Sequence, residues 1–133
     1  MKRMLGALVL MAGLVFALGV GAEDTKGAKA AAKTMTFKGE LVDMGCYVGH
    51  GAKGEKHKDC ATKCIAGGMP MGLLTDKGKL YLLTLNHDNA DPYNKAKEMA
   101  SSMVEVTGQV STRNGVSAID VTDVKPVAAQ ASK

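Results

Sequence analysis

The sequence predicts a mainly β chain, folded as one small five-stranded barrel with two short helices. Three observations predict it. Five short segments alternate apolar with polar residues or are rich in β-branched residues, the pattern of half-buried strands. Turn residues, Asp76-Lys77-Gly78 and Arg113-Asn114-Gly115, join two pairs of them tightly. The 133 residues suit a single domain and exclude a two-domain enzyme or a multispan transporter.

The N-terminus carries an address. Lys2 and Arg3 precede an apolar stretch from Met4 to Val20, and Val20-Gly21-Ala22 places small residues where a signal peptidase reads. This predicts a secretory signal peptide over residues 1–22. A membrane anchor is the rival reading, but about 17 apolar residues is the bottom of the spanning range. The cleavage-like site favours removal, and no Cys lies near it to carry a lipid anchor. No second apolar stretch reaches spanning length, so no membrane attachment is expected after cleavage. The predicted location is periplasmic or secreted. Residues 23–33 are rich in Ala, Lys and Gly with no large apolar side chain, and read as a flexible linker. Residues 127–133 read as a disordered tail, which leaves a domain over 34–126.

Each element of that domain has its own signal. Met35 to Leu41 alternates and gives the first strand. Met71 to Thr75 and Lys79 to Leu85 give the second and third. Val104, Val106, Gly108 and Val110 alternate with Glu105, Thr107 and Gln109 in the fourth, and Val116 to Val124 gives the fifth. Asp91-Pro92 reads as an N-cap followed by Pro at the first helical position, with Tyr93, Ala96, Met99 and Ala100 on one apolar face. A second helix is predicted from Glu55 to Ala66, stopped by Gly67-Gly68 with Pro70 beyond. A five-stranded barrel with a helix between its third and fourth strands is the OB-fold plan. Here the first connection, Asp43 to Pro70, is an enlarged insert, on a surface that such barrels use for binding.

That insert holds all three Cys and two of the three His: Cys46, His50, His57, Cys60 and Cys64. His57, Cys60 and Cys64 fall at i, i+3 and i+7, on one face of the predicted helix. Three readings of the cluster compete. The first is a disulfide, Cys46 with Cys60 or Cys64, as an oxidising compartment favours. It would close a loop of about 15 residues and add roughly 3 kcal/mol, and it leaves one odd Cys. Cys60 with Cys64 lies within one helical turn and suits a disulfide poorly. The second is a metal site for zinc or copper, with Cys46, His57, Cys60, Cys64 and His50 as candidate ligands. Met44, Met69 and Met71 are nearby candidate thioethers, with core filling as the simpler role. The third is thiol redox chemistry at Cys60, near Lys56, Lys58, Lys63 and His57, though C-x-x-C is absent.

Other chemistries lack their residues. C-x-x-C-H, H-E-x-x-H, G-x-S-x-G and P-loop patterns are all missing. His87-Asp88-Asn89-Ala90-Asp91 reads as a solvated loop and helix cap. The whole chain has 17 Lys and Arg against 13 Asp and Glu, but residues 34–126 carry eleven of each. A formally neutral domain with Phe37 and Tyr81 in strands offers no basic stacking surface for nucleic acid.

Lys38 to Tyr47 contains G-x-x-x-D-x-x-C-Y, and Cys60 to Leu74 contains C-x3-C-x3-G-x-P-x-G-L. Asp76 to Leu83 adds D-x-G-x-x-Y-L-L, and Val104 to Val110 adds V-x-V-T-G-x-V. With these motifs the chain resembles an uncharacterised family of exported bacterial OB-fold-like proteins over residues 36 to 124. The resemblance implies compartment and fold, and names no reaction. The expected function is therefore an exported binding or accessory module rather than an enzyme, with a metal ion or a protein as partner. A disulfide-stapled module without metal and a thiol-redox protein are the alternatives.

Overall fold

A computed structural model of the chain describes residues 33–127. The expected signal peptide over 1–22, the linker as far as residue 32 and the tail from 128 lie outside the described residues. The strands are β1 Thr34–Asp43, β2 Met71–Thr75, β3 Leu80–Leu85, β4 Met103–Arg113 and β5 Val116–Pro126. They close a barrel in the order β1-β2-β3-β5-β4, with β4 returning to β1. All neighbours are antiparallel except β3 and β5, which run parallel. This is the expected OB-like topology. Asn114-Gly115, both at positive φ, form the two-residue turn between paired Arg113 and Val116, as the hairpin geometry demands.

The helices depart from expectation in three places. Among the described residues there are three α-helices: α1 Met44–His50, α2 Lys58–Ala66 and α3 Asp91–Lys97. A single 3-10 turn, Glu55–His57, leads into α2, so the expected helix from Glu55 is tighter over its first three residues. Helix α1 was not expected, and its sequence explains why. Two glycines and a β-branched Val in seven residues are weak helix formers. The segment is helical because both ends are capped. Asp43 Oδ1 accepts from Gly45 N at 2.8 Å and Cys46 N at 3.4 Å, and Gly51, at φ 68°, closes the other end on the Cys46 and Tyr47 carbonyls. Helix α3 starts at Asp91 rather than being capped by it. Asn89 Oδ1 accepts the Asp91 N–H, and Pro92 sits in the first turn as expected.

The core is built by strand alternation. Leu41, Leu73, Tyr81, Leu83, Val104, Val106, Ile119 and Val121 point inward. Ala96 closes the barrel from α3 and Ala100 from the turn after it, and Ala61 and Ile65 close it from α2. Register places both helices at one end. Asp43 pairs with Met71, and Glu40 with Met103, so the end of β1 meets the starts of β2 and β4 there. The β2–β3 and β4–β5 turns lie at the other end. Asp43 shares the parity of Gly39 and Leu41, so its carboxylate points into the mouth of the barrel beneath α2, fully buried.

Candidate metal centre

The insert folds back on the strand that precedes it. Met44 N donates to Pro70 O at 2.9 Å, so the insert begins and ends at one point of the barrel rim. Met69 N donates to Cys64 O at 2.9 Å, which ties the exit of α2 to the same place. Midway, Gly54 N donates to Glu40 Oε1, pinning the link between α1 and the 3-10 turn to β1. These ties bring Cys46 of α1 to Cys60 and Cys64 of α2 beside Asp43.

Five donor side chains converge there, in two overlapping groups. Cys46, His57 and Cys60 present ligand atoms within 4.8 Å of one another, and so do Asp43, Cys46 and Cys64. Cys46 belongs to both. The two groups are also bridged by His57 Nε2 and Asp43 Oδ2, which lie 4.0 Å apart. Both of these atoms are buried and neither has a hydrogen-bond partner. A buried carboxylate oxygen and a buried ring nitrogen without partners are costly to leave unmatched. Their separation is too long for a hydrogen bond and near what two ligands of one cation show, roughly 3.3 Å in tetrahedral geometry. Thiolates on one zinc ion lie roughly 3.8 Å apart by the same geometry. Within each group of three the donors need to contract by at most about 1.5 Å to share an ion.

Electrostatics around the cluster run the same way. Burial opposes the charge on Asp43. The approach of the Cys46 thiol, N–H donation by Gly45 and Cys46, and the approach of the Cys64 thiol more than offset it, so its carboxyl lies below the usual range. The cost falls on the thiols. The close approach of Asp43, then burial, then the negative charge of Asp43 push the Cys46 thiol up to about 12. Burial first, then the nearness of Cys60, push Cys64 upward too. Without a cation the cluster holds the Asp43 carboxylate beside Cys46 and Cys64 as thiols. A bound cation reverses this balance by stabilising every thiolate at once.

Most of the predicted ligands meet here. Cys46, His57, Cys60 and Cys64 come together. His50, at the exposed end of α1, belongs to neither group. Met71 is fully buried in the barrel core and is not a ligand. Met44 packs its sulfur against Gly72 across β2. Met69 is the one candidate thioether beside the cluster. Its sulfur fills the space where a Gly45 side chain would begin, 2.8 Å from that Cβ position. The expected disulfide is not formed: all three thiols are free. The sulfurs of Cys46 and Cys60, and of Cys46 and Cys64, lie within 4.8 Å of one another but not at the about 2.05 Å of a bonded pair. Asp43, the last residue of β1, is both the α1 cap and a donor. The signal was an Asp three residues before Cys46 at a strand-to-helix junction.

The far end of the barrel holds a cleft of about 450 Å³ lined by Phe37, Lys38, Lys77, Lys79 and Tyr81. Phe37 and Tyr81 pack on each other, with ring centres 4.8 Å apart, and Lys79 lies over Tyr81. Tyr81 is buried and Phe37 packs against the core, so neither ring is offered for base stacking. Among the described residues no helix is long and apolar enough to cross a membrane. No protein-family profile, curated protein or solved structure matches the chain.

Proposed function

We propose that this domain is an exported binding or accessory module that holds one thiophilic transition-metal ion, Zn(II) or Cu(I), over the mouth of the barrel. Cys46, His57, Cys60 and Cys64 are its ligands, and Asp43 sits behind them. The observation that carries the reading is the pair of unmatched buried atoms, Asp43 Oδ2 and His57 Nε2, set among three free thiols on two helices. A carboxylate and an imidazole beside thiolates favour Zn(II) over the softer Cu(I). Four protein donors close a tetrahedral site and leave no open position for a substrate, which fits storage, delivery or structural support better than catalysis. Export rests on the signal-peptide pattern of residues 1–22 and on the resemblance to exported proteins.

Elemental analysis of the protein purified under reducing conditions tests this, combined with thiol titration with and without chelator. One ion per chain is expected, with all three thiols becoming reactive once the ion is removed. Absence of metal together with a mass two hydrogens below the reduced value and one free thiol would show a stapled module instead.

A further inference from the structure

The cation site also has the layout of a thiol–disulfide exchange site. Cys60 is exposed, so its Sγ is open to an incoming disulfide. Cys46 Sγ lies within 4.8 Å of Cys60 Sγ, close but unbonded. The two sulfurs stand on supports of different stiffness. Helix α2 buries Ala61 and Ile65 in the core, whereas α1 buries no residue at all. A disulfide needs the sulfurs about 2.05 Å apart. Closing the remaining gap therefore falls on α1, which contributes no buried residue to the core.

We infer that the cluster carries a second activity, reduction of a low-molecular-weight disulfide, in which a Cys46–Cys60 bond replaces the cation. The cation half of this inference rests on the metal reading above; the exchange half does not. Cys60 Sγ, as a thiolate, attacks one sulfur of the disulfide RSSR. The Cys60–SR bond forms, the RS–SR bond breaks, and RS⁻ leaves with the electron pair. The Cys46 thiol passes its proton to the released RS⁻ and, as a thiolate, attacks Cys60 Sγ. The Cys46–Cys60 bond forms, the Cys60–SR bond breaks, and a second RS⁻ leaves. Two protein sulfurs have lost two electrons, and RSSR has gained them as RSH and RS⁻. Cys46 is the resolving residue because it is the thiol that reaches Cys60 from another helix. Cys64 stands one turn along the same helix, where a short bridge is strained. The bond removes two of the four ligands, one of them the residue shared by both donor groups, so cation and disulfide exclude each other.

The sequence makes the test direct. Trypsin cuts after Lys38, Lys53, Lys58, Lys63 and Lys77, so Cys46, Cys60 and Cys64 fall in separate peptides, 39–53, 59–63 and 64–77. The zinc-loaded protein is treated with oxidised glutathione, released zinc is measured, and a non-reducing tryptic map is taken. Expected are a 39–53 to 59–63 cross-link, one zinc released per cross-link, and Cys64 still open to alkylation. The Cys46→Ser variant is expected to stop at a glutathione adduct on Cys60. A stable adduct on Cys60 of the unsubstituted protein, a cross-link through Cys64, or a cross-link that leaves zinc bound would overturn the inference. A protein that holds no zinc yet forms the 39–53 to 59–63 link would refute the metal reading while upholding the exchange.

Discussion

Helices α1 and α2 meet at one cluster of cysteines, yet different forces hold them. Helix α2 is fixed from below, because Ala61 and Ile65 are part of the barrel core. Helix α1 is fixed from its ends, by the Asp43 and Gly51 caps and the Met44 to Pro70 hydrogen bond. Apolar burial scales with area and tolerates little change, whereas a cap contributes about 1 kcal/mol. The chain thus sets two ligands of α2 rigidly and one of α1 loosely, and a shared ion supplies the missing fastening. Asp43 couples the two helices, since one oxygen caps α1 and the other faces His57 at the start of α2.

The comparison can be broken most sharply at Cys46, the member of both donor groups. Cys46→Ala is expected to lower zinc affinity by more than about 100-fold, beyond what supporting residues contribute. His50→Ala, four residues along the same helix, is expected to leave it unchanged; competition against a chromophoric chelator reads both. Equal losses would mean that α1 contributes no specific ligand.

Core anchoring predicts the next largest difference. Ile65→Ala on α2 is expected to cost about 2–4 kcal/mol of unfolding free energy. Val48→Ala on α1, where Val48 is 68% exposed, is expected to change it by less than about 0.5 kcal/mol. Urea unfolding of the metal-free proteins decides, and similar values would show that α1 is anchored after all.

Asp43 separates capping from charge. Asp43→Asn keeps an oxygen for the Gly45 N–H but loses the anion, so zinc affinity should fall about 10–100-fold with little change in metal-free stability. Asp43→Ala should lose about 1 kcal/mol of stability in addition. A smaller effect is expected from alkali. The Cys46 thiol releases its proton near 9.0 in the unfolded chain and only near about 12 in the folded one. The stabilisation is therefore present below pH 9 and is lost as pH rises toward 12. The melting temperature of the metal-free protein should fall more steeply across that window than that of Cys46→Ser. Gly45→Ala should do least. Its new Cβ meets the flexible end of Met69, which can swing outward, so stability should change by less than about 1 kcal/mol.

How much of this was legible in the sequence follows from the same physics. The strands were legible because burial imposes a period of two, and Val104, Val106 and Val110 display it openly. Helix α2 was legible from Gly67-Gly68 at its end, with Pro70 beyond. Helix α1 was not, because its stability lies in two caps and in no periodic burial. The clustering of Cys46, His57, Cys60 and Cys64 was legible from spacing. The role of Asp43 was not, because it depends on a strand parity that turns its carboxylate into the barrel mouth.

Cobalt(II) titration of the reduced, metal-free protein tests the central claim most directly. Cobalt(II) in a tetrahedral thiolate site gives strong visible bands and sulfur-to-metal charge transfer, whereas oxygen-ligated octahedral cobalt(II) gives faint ones. The expected result is a tetrahedral thiolate spectrum that saturates at one equivalent, is displaced by zinc(II), and is lost in Cys46→Ser. A faint octahedral spectrum, or the same strong spectrum in Cys46→Ser, would contradict it.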